Sequence, residues 1–128
     1  MTLRLLLVSL MLLSGAARAT PEDIAKIIMS QNYDAATAVY HIKYYPRANI
    51  DIVRLMVKDH YDVVDAVRAS HNFSQANPEL VRLMLQQKYD SFSALQFCAK
   101  YPDATPFLVR IYLKDHWDIC SAIRMAAP

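Results

Sequence analysis

Residues 50–77 read IDIVRLMVKDHYDVVDAVRASHNFSQAN. The dipeptide Tyr61-Asp62 inside this stretch has a counterpart 28 residues to either side, Tyr33-Asp34 and Tyr89-Asp90. Trp117-Asp118 follows after the same interval, and no insertion or deletion breaks the spacing. A constant period of this size marks a tandem array of small supersecondary units, because one short unit cannot bury its apolar side alone and must lean on its neighbours.

Setting the units side by side brings out further columns. Ile24, Ile52, Leu80 and Leu108 share one, Lys26, Arg54, Arg82 and Arg110 another. Ala38, Ala66, Ala94 and Ala122 are identical, followed by Val39, Val67, Leu95 and Ile123. In residues 50–59 the apolar Ile52, Val53, Leu55, Met56 and Val57 alternate with a polar line of Asp51, Arg54 and Lys58 at helical spacing, which predicts a helix buried over most of its circumference. Asn49, Asn77, Thr105 and Thr20 stand where N-caps belong, with Pro78, Pro106 and Pro21 next in the chain, where a missing N–H matters least. The recurring Asp reads as the cap of a second helix, from Val63 to about His71 in this unit, since its carboxylate can accept the free N–H groups of the first turn. Helices this short are marginal alone and depend on packing.

The expected fold is therefore all-α. Four tandem helical hairpins of 28 residues, at about 22–49, 50–77, 78–105 and 106–128, stack as a short α-solenoid. It resembles the short-repeat α-solenoid class to which HEAT, TPR and Sel1-like repeats belong. The resemblance covers Thr20 to the C-terminus and is architectural. The period is shorter than in those families, and the Trp/Gly/Tyr pattern of TPR units is absent, so it implies stacked helix pairs and assigns no role to any residue.

Residues 1–19 lie outside the array and read as a cleavable signal peptide. Arg4 gives the positive start, Leu5 to Leu13 are apolar apart from one Ser, and Ala17-Arg18-Ala19 is a small-x-small cleavage site. The apolar run falls short of the ~20 residues a bilayer span requires. A soluble domain of residues 20–128, secreted or periplasmic, is the expectation, with no membrane insertion after cleavage. The whole chain holds 14 Lys and Arg against 12 Asp and Glu. The leader carries two of the cations, Arg4 and Arg18, and no acid, so the remainder is balanced and lacks the basic surplus of a nucleic-acid binder. The one Gly, Gly15, also lies in the leader. Hairpin turns needing positive φ then have no easy residue, which weakens β-sheet alternatives.

Chemical motifs are sparse. Asp59-His60-x-Asp62 and Asp115-His116-x-Asp118 bring His and carboxylates together, as a hydrated metal or an acid–base pair would require. They fall at the expected inter-helix turns, where polar residues belong and the second Asp already serves as a cap. Asn32 and Lys88 take the place of the His in the other two units. No Gly-rich phosphate loop, HExxH or CxxC occurs. The sequence thus predicts no enzyme, no cofactor and no metal ligand. Cys98 and Cys120 are six positions out of register between neighbouring units, which argues for free, buried thiols; the exported setting favours a disulfide, which helix tilt would have to bring within reach.

What remains points to binding. Acids three residues ahead of Lys26, Arg54 and Arg82 predict ion pairs within the helix. Phe107 replaces the acid in the last unit and leaves Arg110 and Lys114 unpaired beside an aromatic ring. On the polar line of the second helix, where later units carry Arg68 and Asn72 or Gln96 and Lys100, the first unit offers Tyr40 and Tyr44, with His41 and Tyr45 nearby. Exposed aromatic and Arg side chains anchor interfaces. The alternative is that the two tyrosines cover an end of the core. The Tyr33, Tyr61, Tyr89 and Trp117 column is expected in the core. The functional expectation is an exported binding module for a protein or peptide partner, with candidate contacts Tyr40, Tyr44, Phe107, Arg110 and Lys114. Self-association through the ends of the array is the alternative, and a metal-dependent activity at the Asp-His-x-Asp turns a lesser one.

Overall fold

A computed structural model describes residues 20–128; the leader expected at 1–19 lies outside the described residues. Among the described residues eight helices follow one another: α1 (Pro21–Ser30), α2 (Ala35–Tyr44), α3 (Ile50–Lys58), α4 (Val63–Asn72), α5 (Pro78–Gln86), α6 (Ser91–Ala99), α7 (Pro106–Lys114) and α8 (Ile119–Ala126). No strand occurs among the described residues. Consecutive helices pack as pairs, α1 with α2, α3 with α4, α5 with α6 and α7 with α8. Between pairs, the first helix of one rests on the second helix of the next: α1 on α4, α3 on α6 and α5 on α8. This arrangement is compatible with a helical repeat.

The helix starts follow from the caps. Asp34, Asp62, Asp90 and Asp118 are extended residues whose carboxylates accept first-turn N–H groups, from Thr37, Val64, Ser93 and both Cys120 and Ser121 respectively. Asn49 accepts from Asp51 and Ile52, and Asn77 from Glu79. Thr20 forms a reciprocal capping box with Asp23, and the Thr20 bond holds the Asp23 carboxyl below its ordinary pKa. Thr105 sits in the cap position but makes no side-chain cap bond, unlike the expectation; Pro106 after it has no N–H and leaves fewer donors there to satisfy.

The ends of the first helices hold a feature that composition had argued against. Asn32, His60, Lys88 and His116, 28 residues apart, all take positive φ between 67° and 73° without being glycine. Each stands one residue past a helix C-cap. In the second, third and fourth pairs the following N–H reaches back to the last turn of the helix (Tyr61 to Met56, Tyr89 to Met84, Trp117 to Tyr112), and the left-handed residue bonds to Val57, Leu85 or Leu113. This is the Schellman geometry, which needs a left-handed residue. A side chain there costs roughly 1–2 kcal/mol. Positive φ therefore serves helix termination here, not strand reversal.

The core runs through every pair. Ile28, Ile52, Val53, Met56, Val67, Leu80, Val81, Met84, Leu95 and Ile123 are fully buried, and each such side chain contributes roughly 1.5–3 kcal/mol. The Ala column is buried throughout, which lets the two helices of a pair approach closely. The Tyr column is only half-buried. The rings of Tyr33, Tyr61 and Tyr89 pack against the core, while the first two hydroxyls reach the cap of the next pair: Tyr33 donates to Asp62 at 2.8 Å and Tyr61 to Asp90 at 2.7 Å. Tyr89 instead accepts from the Cys120 thiol at 3.5 Å. Trp117, expected in the core, is exposed, and its indole N–H bonds to Asp115 in its own turn.

Candidate functional site

The polar line that α4 and α6 present to solvent becomes aromatic on α2. Tyr40 and Tyr44 are one helical turn apart, so their rings lie on one face; they stack at 4.7 Å between centroids and are 52% and 63% exposed. The cluster continues inward. His41 meets Tyr40 edge-on at 5.2 Å and Tyr45 at 5.7 Å, and Tyr45 meets His71 of α4 at 5.5 Å. The Nδ1 atom of His71 accepts the Arg47 N–H at 3.0 Å, and burial holds this imidazole below its ordinary pKa, so it stays neutral near pH 7. The Nε–H of Arg68 donates to the Tyr45 hydroxyl at 3.2 Å.

Arg68 also lies on the rim of a groove of about 490 Å3. Met56, Tyr61, Phe73 and Phe92 form the apolar part of its lining, and Asp65, Arg68 and Asn72 the polar part. Phe73 and Phe92 pack edge to face at 5.9 Å, and Tyr61 and Phe92 lie 6.5 Å apart. The aromatic cluster on α2 and this groove between α4 and α6 thus share Arg68 as a border. The sequence reading singled out neither Phe73 nor Phe92. One signal was present: Phe73 occupies the place of Tyr45 and Tyr101, an aromatic column at the end of the second helices.

The other candidates fall elsewhere. Phe107, Arg110 and Lys114 share one face of α7, and Phe107 and Lys114 are exposed as expected. Arg110 is not unpaired: it forms an ion pair with Glu79 of the preceding helix pair. Pairing with the acid three residues ahead also differs from expectation in the other units. Lys26 pairs with Glu22 at 3.1 Å, since Asp23 is held by Thr20, and among the described residues no ion pair joins Asp51 to Arg54 or Glu79 to Arg82. Capping takes Asp23 and a cross-pair contact takes Glu79, while nothing in the structure explains why Asp51 and Arg54 do not pair.

The Asp-His-x-Asp turns resolve into backbone support. His60 and His116 are the left-handed residues that follow the C-caps Asp59 and Asp115. Asp59 accepts the Ser91 N–H at the start of α6, and Asp62 caps α4 while taking the Tyr33 hydroxyl. Among the described residues no three His, Cys, Asp or Glu side chains gather as a metal site would need. A second groove, of about 560 Å3, lies beside this turn. Lys58, Arg82 and Lys88 line it with Asp59 and Tyr89. Both thiols are free. Cys98 is buried 3.6 Å from the Met84 sulfur, and burial pushes its pKa up to about 12; Cys120 is half-buried. Among the described residues, no helix is long and apolar enough to cross a membrane.

Comparison with protein-family models, with curated proteins and with solved structures finds no match to this chain.

Proposed function

We propose that this chain is an exported, non-catalytic binding module: a short α-solenoid of four 28-residue helical pairs that holds a protein or peptide partner along the face made by its second helices. The observation that carries this reading is the stacked, solvent-open Tyr40/Tyr44 pair on a surface that is polar in the other pairs. A large rigid ring loses little entropy when it is covered and presents a polar tip, so Tyr is suited to anchoring a partner. Through Tyr45 and Arg68 the patch borders an apolar groove, which extends the same face toward α6. An extended or helical peptide laid across α2, α4 and α6 would meet tyrosines at one end and Phe73 and Phe92 at the other. The leader-like residues 1–19 support a secreted or periplasmic setting for the module.

The test replaces both tyrosines. Tyr40→Ser with Tyr44→Ser should weaken capture of the partner from the native exported fraction by about 30-fold or more, the loss of one interface anchor of ~2 kcal/mol. The circular dichroism of the helices should not change. Capture at wild-type strength would overturn the assignment.

A further inference from the structure

The first and last helix pairs of the described residues expose surfaces that the junctions between pairs cover. Leu108 on α7 is 40% exposed, whereas Ile24, Ile52 and Leu80 in the same column are buried. Val39 on α2 is 47% exposed, whereas Val67, Leu95 and Ile123 are 0% exposed. Ala35 is exposed where Val63, Ser91 and Ile119 are buried, and Ile42 is half-exposed where Ser70, Cys98 and Ala126 are buried. Positions 35, 39 and 42 form one stripe of α2. The cause is the packing rule between pairs: each first helix rests on the following second helix. Among the described residues, α7 has no following second helix and α2 has no preceding first helix.

We propose that these ends are the two halves of one interface, and that copies of this chain associate head to tail, with α7 of one copy seated on α2 of the next. The occupant is fixed by continuity with the three internal junctions, which join the same two columns. The polar groups complete the match. At two of the three internal junctions a ring in the Tyr column donates to the Asp cap 29 residues on. Trp117 of the last pair carries an indole donor in that column, bonded within the chain to Asp115, and Asp34 of the first pair, like Asp118, takes no ring donor from a preceding pair among the described residues. Likewise Asp59 accepts the Ser91 N–H of the next pair, and Asp115 stands in its column facing the place that Ala35 of a following copy would take. Phe107 is 66% exposed and replaces the acid of the other pairs, which widens the apolar contact. An interface of this type uses different surfaces on the two partners. It does not close on itself at a dimer, and it extends with concentration.

The proposal rests on the tandem-pair architecture above, and not on the tyrosine patch, which lies on another flank of α2. Two charge substitutions at exposed sites test it, made in the protein as its host produces it: Leu108→Lys blocks one end and Val39→Lys the other. Sedimentation of the wild type should give a mass that rises with concentration beyond two chains. Each variant alone should sediment as one chain, and an equimolar mixture of the two should form a complex of two chains, because each contributes the end the other lacks. A wild type that stays at one chain mass at every concentration overturns the proposal, as does a mixture that forms no complex. So does a Val39→Lys protein that still pairs with itself, since that means a symmetric contact through α7. The Tyr40→Ser, Tyr44→Ser protein should assemble like the wild type, so loss of partner capture and loss of assembly are separate results.

Discussion

Leu80 and Leu108 hold the same place in successive helix pairs, yet Leu80 is fully buried and Leu108 is largely open. Nothing local separates them: both lie in the first turn of a helix that begins with Pro. The difference is what comes next. Leu80 is covered by the helix pair that follows it, and Leu108 is not. The two leucines therefore differ in surroundings rather than in local structure, and their burial belongs to the junction between pairs rather than to the pair.

The largest test of that contrast is a matched truncation. Leu80→Ala should cost about 3 kcal/mol, through lost transfer energy and a cavity that the tight Ala column prevents from collapsing. Leu108→Ala should cost less than about 1 kcal/mol in dilute solution, because much of the side chain already meets water. Urea denaturation of both proteins measures the two values. Equal costs would mean that Leu108 is covered in solution. If copies assemble head to tail, the cost of Leu108→Ala should grow with protein concentration, by mass action on the folded state.

Much of this could be read from the sequence, because a period converts one good inference into four. The Asp caps and the helix bounds of the second pair follow from residue type and spacing alone, and the structure places them as expected. Contacts across a junction were harder to read. Arg110 finds Glu79 from 31 residues away, and Tyr61 finds Asp90 from 29 away. Those offsets depend on how far one pair is rotated against the next, which no local pattern encodes. The left-handed residues were hidden for another reason: Asn, His and Lys share no property that announces positive φ, and only the constant geometry of the turn unites them. On the candidate surface, Tyr40 and Tyr44 were legible as a departure from a polar column. Their inner partners were not, since Arg68 and His71 have ordinary polar places on α4 and acquire meaning only from the Tyr45 ring beside them.

A middle-sized effect lies in the hydroxyl contacts between pairs. Tyr61→Phe removes one interior link and should cost about 1 kcal/mol. Trp117→Phe keeps a ring against Tyr112 and removes an exposed bond within its own turn, so it should cost less than Tyr61→Phe. The pH dependence carries a definite sign. Donation to the Asp90 carboxylate raises the Tyr61 pKa from its ordinary 10.0 to about 12. The folded state thus holds this proton more tightly than the unfolded state does. The link contributes in full below about pH 10 and is lost as pH rises through about 12. Tyr33, bonded to Asp62 in the same way, is also held above its ordinary value, so near-ultraviolet absorbance should show late-ionising phenols, and Tyr61→Phe should lower the amplitude of the late step by one phenol. An unchanged late amplitude in the variant would remove Tyr61 as a source.

The smallest effect concerns the turns that join the helices within each pair, where the contrast runs between residue types at one fixed geometry. Asn and His both hold a Cβ against the following carbonyl in the left-handed region, and Asn offsets part of that cost because its short amide bonds locally. His60→Gly and His116→Gly relieve that contact, and the added freedom of the unfolded chain offsets part of the gain. Each should raise stability by about 0.5 kcal/mol, while Asn32→Gly should change it by no more than a few tenths. The His substitutions should leave helical content intact, and partner capture as well, because the backbone of the turn is what the position supplies. A loss of stability on either His→Gly change would contradict the strain assigned here and show that the imidazole, not the conformation, holds the Asp-His-x-Asp turn together.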